Sequence, residues 1–164
     1  MKKVFIGATR QNDGKTVISL GLMHALGRRA ATIGFIKPVG QQYLVVDGEK
    51  IDKDVVLMSQ IYNLPDRLVD MSPIAIPAGF TEEYIRAPRE EELHHRVLRS
   101  FETVARKKDL VLIEGTGHAG VGAVFDLSNA EVAKLLGAKV ILVSVGGVGR
   151  PIDEILLNKA MFDQ

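Results

Sequence analysis

Short, continuous apolar runs alternate with helical patterns along this chain. The runs cover residues 3–6, 32–36, 110–113 and 140–145. None alternates apolar with polar, so each reads as a strand covered on both faces, as in a parallel sheet. Every run ends at a glycine- or proline-bearing loop: Gly7, Pro38 with Gly40, Gly115 with Gly117, and Gly146-Gly147. Ligands of open α/β sheets bind outside the carboxyl ends of the strands, and all these loops are expected to gather there.

Between the runs the period changes to that of a helix. Residues 15–28 place Val17, Leu20, Met23 and Leu26 near helical spacing, with Gly27 marking the end. Residues 90–108 carry Leu93, Val97, Phe101 and Val104 at three- and four-residue steps. A third helix opens at Ser128-Asn129-Ala130-Glu131, a capping box in which Ser128 caps and Glu131 reaches back, and it stops at Gly137. A fourth begins near Pro151 and runs on to Gln164 with no strand after it. The expected fold is a single α/β domain over residues 1–164, a mainly parallel sheet flanked by helices that lacks its C-terminal strands. Residues 41–88 are the least regular stretch, marked by Asp52-Lys53-Asp54 and by the proline-spaced 72–77.

Composition narrows the chemistry. The 164 residues include 21 Lys plus Arg against 20 Asp plus Glu, a net charge of +1, which argues against nucleic-acid binding driven by bulk charge. The absence of cysteine excludes disulfides, thiolate metal sites and cysteine nucleophiles. The apolar run after Met1-Lys2-Lys3 is too short for a signal peptide, and no stretch approaches the roughly 20 apolar residues of a membrane span. A cytoplasmic chain with no membrane partner is the expectation.

The first loop carries the strongest signal. Ala8-Thr9-Arg10-Gln11-Asn12-Asp13-Gly14-Lys15-Thr16 joins an expected strand to an expected helix and approaches G-x-x-x-x-G-K-[ST], with Thr9 at the first glycine position. In that setting Thr9, Asn12, Asp13 and Gly14 shape a backbone cradle for phosphate, Lys15 reaches the β- and γ-phosphates, and Thr16 ligates Mg²⁺. A capped helix start with a solvated lysine is the competing reading. Glu114 closes an apolar strand where a carboxylate supporting Mg²⁺ belongs, and Gly115 and Gly117 let its loop approach the γ-phosphate. Lys37, at a strand end before Pro38, is placed to meet a small anionic substrate or a transferred phosphoryl group.

Taken in order, Gly14-Lys15-Thr16, Ile36-Lys37-Pro38-Val39, Asp54 within 52–57 and Ile113-Glu114-Gly115-Thr116-Gly117 resemble dethiobiotin synthetases. The stretches 114–130 and 73–81 resemble more closely the dethiobiotin-synthetase-like domain at the N-terminus of some phosphotransacetylases. This resemblance spans residues 4–154. It implies a P-loop fold of the dimer-forming class that includes the partitioning ATPases, binding ATP and Mg²⁺ and pairing as a homodimer. It also implies that Lys15 and Lys37 are catalytic lysines, and that Thr16, Asp54 and Glu114 attend the metal. Synthetases usually have Glu where this chain has Asn12, Ser where it has Gln41, and Gly where it has His118. Those positions lie on the substrate side of the phosphates. The expected function is therefore an ATP–Mg²⁺-binding domain of regulatory or accessory role, hydrolysing ATP slowly if at all. A carboxylating and ring-closing ligase is the alternative.

Remaining candidates read as structural. His118 suits a loop contact as well as a general base, and His94 and His95 lack further ligands at metal spacing. The arginines of 86–106 form a solvated face, and Asn158-Lys159 sits on a helix surface.

Overall fold

The four apolar runs form one parallel sheet in the computed structural model, which describes residues 1–29 and 32–164. In chain order the elements are β1 (Lys2–Ala8), α1 (Lys15–Gly27), β2 (Ile33–Ile36), β3 (Val39–Gly40), β4 (Tyr43–Val46), β5 (Glu49–Asp52), α2 (Lys53–Tyr62), α3 (Leu68–Met71), β6 (Ile74–Ala75) and α4 (Phe80–Arg86). Then come α5 (Glu90–Ala105), β7 (Leu110–Glu114), a 3₁₀ turn (Ala123–Phe125), α6 (Asn129–Leu135), β8 (Lys139–Val143) and α7 (Arg150–Phe162). The sheet runs β2-β7-β1-β8, every pair parallel. Among the described residues no helix is long and apolar enough to cross a membrane.

Register decides which side each helix covers. Phe5 pairs with Ile113 and Ile36 pairs with Ile113, so these three share a face with Gly7 and Gly34. A methyl group at Gly34 would lie 3.0 Å from Val104 of α5, and one at Gly7 would lie 3.0 Å from the Phe162 ring of α7. Both helices therefore pack on this face, close enough that a methyl group at either glycine would push the side chain above it. Helix α1 lies on the other face, where Thr16 donates to Glu114.

The helix of residues 90–108 forms as α5, and Leu93, Val97, Phe101 and Val104 are all buried. The stripe expected of α1 is only partly right. Its inner face is Lys15, Ser19 and Met23, with Leu20 and Leu26 half-buried, while Val17 is 70% exposed. A lysine and a serine take the positions an amphipathic pattern would give to apolar residues. At α6 the Glu131 N–H donates to Ser128 Oγ at 3.0 Å, but no return bond from the Glu131 carboxylate occurs among the described residues, so only half the capping box forms. The last helix ends at Phe162 rather than running through Gln164.

Residues 41–88 prove more regular than their sequence suggested. β4 and β5 form an antiparallel hairpin turning at Asp47-Gly48, both with positive φ (51° and 83°), the geometry that an Asp-Gly pair favours. β3 and β6 add a two-residue parallel pair. Helix α2 starts at an Asp52 cap, and α3 and α4 follow.

Candidate phosphate and cation site

The carboxyl ends of β1, β2 and β7 meet around a solvent-open cleft. Gly14, with φ 96°, caps α1 in a conformation that costs a side-chain-bearing residue. The space its Cβ would take is open, which leaves the helix N-terminus accessible to an anion. Asn12 also has positive φ (65°) and lines the cleft with Gly14, Lys15 and Thr16. Thr9 and Asp13 do not line it. Thr9 donates to Asp13 at 2.7 Å, and its N–H donates to the Val143 carbonyl, so this pair braces the loop from behind.

Lys15 folds across the loop mouth, donating to the Gly117 carbonyl at 3.1 Å and the Arg10 carbonyl at 3.4 Å. Only 8% of it is exposed. Burial lowers its pKa, and Glu114 and Asp13 oppose that fall. A phosphate would replace two neutral carbonyls with charged oxygens, a stronger partner for an ammonium.

Behind the loop lies a dense charged cluster. Lys37 Nζ bonds Asp54, lies 3.2 Å from Asp52 Oδ1 and 3.4 Å from Glu114 Oε1, and is almost wholly buried. Burial pulls the Lys37 pKa down, but Glu114, Asp52 and Asp54 together outweigh it and the net direction is upward. Glu114 is fully buried, and burial pushes its carboxyl above the usual range against the pull of Lys37. Its Oε1 accepts from Thr16 at 3.2 Å, whereas Oε2 is buried without a partner. A buried carboxylate bonded to the Thr16 hydroxyl, with a second carboxylate, Asp54, joined to it through Lys37, is an oxygen donor set suited to Mg²⁺. Thr16, Asp54 and Glu114 would hold such a cation, which would supply positive charge against phosphate.

Gly115 and Gly117 line the cleft, and packing explains both glycines. A Cβ on Gly115 would strike Asn129 and the Phe5 ring, and one on Gly117, at φ 65°, would strike Val121. Asn129 pins this loop: its Oδ1 accepts from Thr116 N–H at 2.9 Å, and its Nδ2 donates to the Thr116 and His118 carbonyls at 2.6 Å. His118 is exposed, and its Nδ1 accepts from Gly120 N–H. His94 contacts the Asp126 carbonyl away from the cleft, as a structural role requires.

Sequence reasoning missed three polar residues here. Asp52 and Asn129 are buried supports with no motif of their own. Asn158 is not on a free helix surface: its Oδ1 accepts from Ala119 N–H at 2.8 Å, and its Nδ2 donates to the Thr9 carbonyl at 3.2 Å. Helix α7 is thereby tied to both loops. Its Glu154 adds an ion pair to Arg10 at 3.2 Å. Long sequence separation hid these contacts.

Comparison with known proteins agrees with this architecture. A family profile described as an AAA domain matches residues 2–164. A phosphate acetyltransferase of Pseudomonas aeruginosa is 32% identical over 147 residues, covering 88% of this chain but 19% of that protein. The ATP-dependent dethiobiotin synthetase of Thermodesulfovibrio yellowstonii is 28% identical, with 79% of this chain and 53% of that protein covered. The chain thus spans about a fifth of the acetyltransferase and about half of the synthetase. Among solved structures, the kinase domain of the Escherichia coli tyrosine kinase ETK superposes with a TM-score of 0.55 at 13% identity, over 99% of this chain and 62% of that one, a likeness of fold alone.

Proposed function

The chain belongs to this AAA-domain family of P-loop proteins, related to ATP-dependent dethiobiotin synthetases, and from that premise we propose that it binds ATP with Mg²⁺ in a regulatory or accessory role. The observation that carries the reading is the meeting of Lys15, Thr16 and the buried Glu114 carboxylate in one cleft at the open N-terminus of α1. Lys15 and the loop N–H groups neutralise and orient the phosphates, while Thr16, Asp54 and Glu114 hold the cation. Hydrolysis is slow in this reading. The resemblance to dimer-forming ATPases supports pairing of two copies, which sedimentation with nucleotide would read as a doubled mass.

One observation favours a second reading, a ligase of the synthetase type. Lys37 reaches the same carboxylates as the cation would, so a second ammonium stands ready for a transferring phosphoryl group and an anionic substrate.

Calorimetry with a non-hydrolysable ATP analogue, with and without Mg²⁺, tests both. The wild type should bind in a Mg²⁺-dependent manner. Lys15→Ala should weaken that binding by about 100-fold, from loss of charged hydrogen bonds to phosphate. Equal affinity of the two proteins would overturn the phosphate assignment. Turnover with diaminopelargonate and bicarbonate would establish the ligase over the accessory domain.

A further inference from the structure

Asp52 lies outside the residues that motif reading assigns to the site, yet it contacts two of them. It is 1% exposed. Its Oδ1 accepts from the Asp54 N–H at 2.9 Å and stands 3.2 Å from Lys37 Nζ. Its own N–H donates to Ser72 Oγ at 2.9 Å, which fixes the backbone from the far side. Its Oδ2 is buried without a partner, in the space a side chain at Gly40 would fill.

These contacts address a conflict inside the cluster. Lys37 is bonded to Asp54 and near Glu114, the two carboxylates that a cation beside Thr16 would also need. An ammonium and a divalent cation cannot both take the same oxygens, and like charges at this range repel strongly in a buried site. Asp52 makes no hydrogen bond to Thr16 among the described residues, and its Oδ1 already stands beside Lys37 Nζ. We propose that Asp52 is the positioning residue that keeps Lys37 in the cleft when Asp54 and Glu114 turn to the cation, so that lysine and cation are held together rather than in competition. The inference rests on the nucleotide–cation reading above for its second half only; the hold on Lys37 is a property of the free chain.

A helix cap alone would explain the Asp54 contact, and substitution separates the two roles. Asp52→Asn keeps the cap acceptor and removes the charge, whereas Asp52→Ala removes both. The readout is acylation of Lys37 by acetic anhydride, followed by peptide mass spectrometry, with exposed Lys50 as the internal reference. In the free chain, Asp52→Asn should melt as the wild type does, yet acylate at Lys37 about tenfold faster, the scale of one lost charge partner. With Mg²⁺ and ADP, wild-type Lys37 should stay protected and Asp52→Asn should lose protection further. The variant should also need about tenfold more Mg²⁺ for nucleotide binding, since its lysine competes for the shared carboxylates.

Wild-type Lys37 reactivity in the free Asp52→Asn chain would overturn the proposal, leaving Asp52 a cap. So would an unchanged Mg²⁺ requirement with Lys37 exposed, which would show that lysine and cation do not compete. Absence of nucleotide binding by the wild type would sink the functional reading instead, while the free-chain acylation would still judge the hold on Lys37.

Discussion

Strands β7 and β8 are nearly alike as sequence, Leu-Val-Leu-Ile-Glu against Lys-Val-Ile-Leu-Val, and opposite in circumstance. All five residues of β7 are buried, between β2 and β1 and beneath helices on both faces. Among the described residues β8 pairs with β1 alone, and none of its five residues is buried. Ile141 is 41% exposed, and helix α7 beyond it has no buried residue and exposes Leu156 and Leu157. An apolar run therefore specifies membership of a parallel sheet without specifying cover. Central placement is what lets β7 deliver Glu114 into a dry cluster where its charge has consequence.

The sharpest way to break this comparison is to truncate one isoleucine in each strand. Ile113, 0% exposed, should cost about 2–5 kcal/mol as Ile113→Ala, from lost burial plus the cavity left in a packed sheet. Ile141→Ala should stay within about 0.5 kcal/mol, because solvent already touches that side chain. Urea unfolding of both variants checks it. Equal losses would mean that β8 is as well covered as β7 in solution.

Much of the fold was legible because its signals are local. The glycine-terminated apolar runs and the four-residue stripe of α5 correspond to real elements, with boundaries shifted by up to a few residues. The Asp47-Gly48 turn had a recognisable signature between Leu44-Val45-Val46 and Ile51, and reading residues 41–88 as irregular overlooked it. α2 was obscured because Asp52-Lys53-Asp54 looked like a charge cluster rather than a cap and first turn. The candidate residues Lys15, Thr16, Lys37, Asp54 and Glu114 do line one cleft, since each sits at a strand's end, at the first turn of a helix or beside a glycine that fixes its place. Asp52, Asn129 and Asn158 stayed hidden because their work is to join segments far apart in sequence, and spacing carries no trace of that.

Asn158 sharpens the comparison, because it couples the poorly covered end of the molecule to the phosphate loop. Asn158→Ala leaves the Thr9 carbonyl and the Ala119 N–H without that partner. A loss of about 1–3 kcal/mol is expected, the range for a half-buried polar group deprived of its hydrogen bonds. Nucleotide affinity should fall along with stability, as both loops loosen. Solvation of α7 so complete that the variant melts and binds as wild type would show the two regions to be uncoupled.

The smallest effect on stability should come from mild acid, and here the two strands differ in kind. β8 places no ionisable group in the cleft, whereas β7 places Glu114 there, with Asp52 nearby. Burial raises the pKa of both carboxyls, against the opposing pull of Lys37. The folded chain then binds protons at a pH where the unfolded chain has released them. By linkage, these two groups contribute stability that grows as pH falls through their folded pKa values and is lost as pH rises through them. Protonated Glu114 is nevertheless a poor cation ligand and a weaker partner for Lys37. Mg²⁺-dependent nucleotide binding should therefore decline before the melting temperature does on acidification, and the decline should begin above the usual carboxylate range. Glu114→Gln should flatten the pH dependence while lowering Mg²⁺ affinity throughout. Binding and melting that fall together, with an unchanged profile in Glu114→Gln, would place the acid sensitivity in surface carboxylates and deny the central strand its special role.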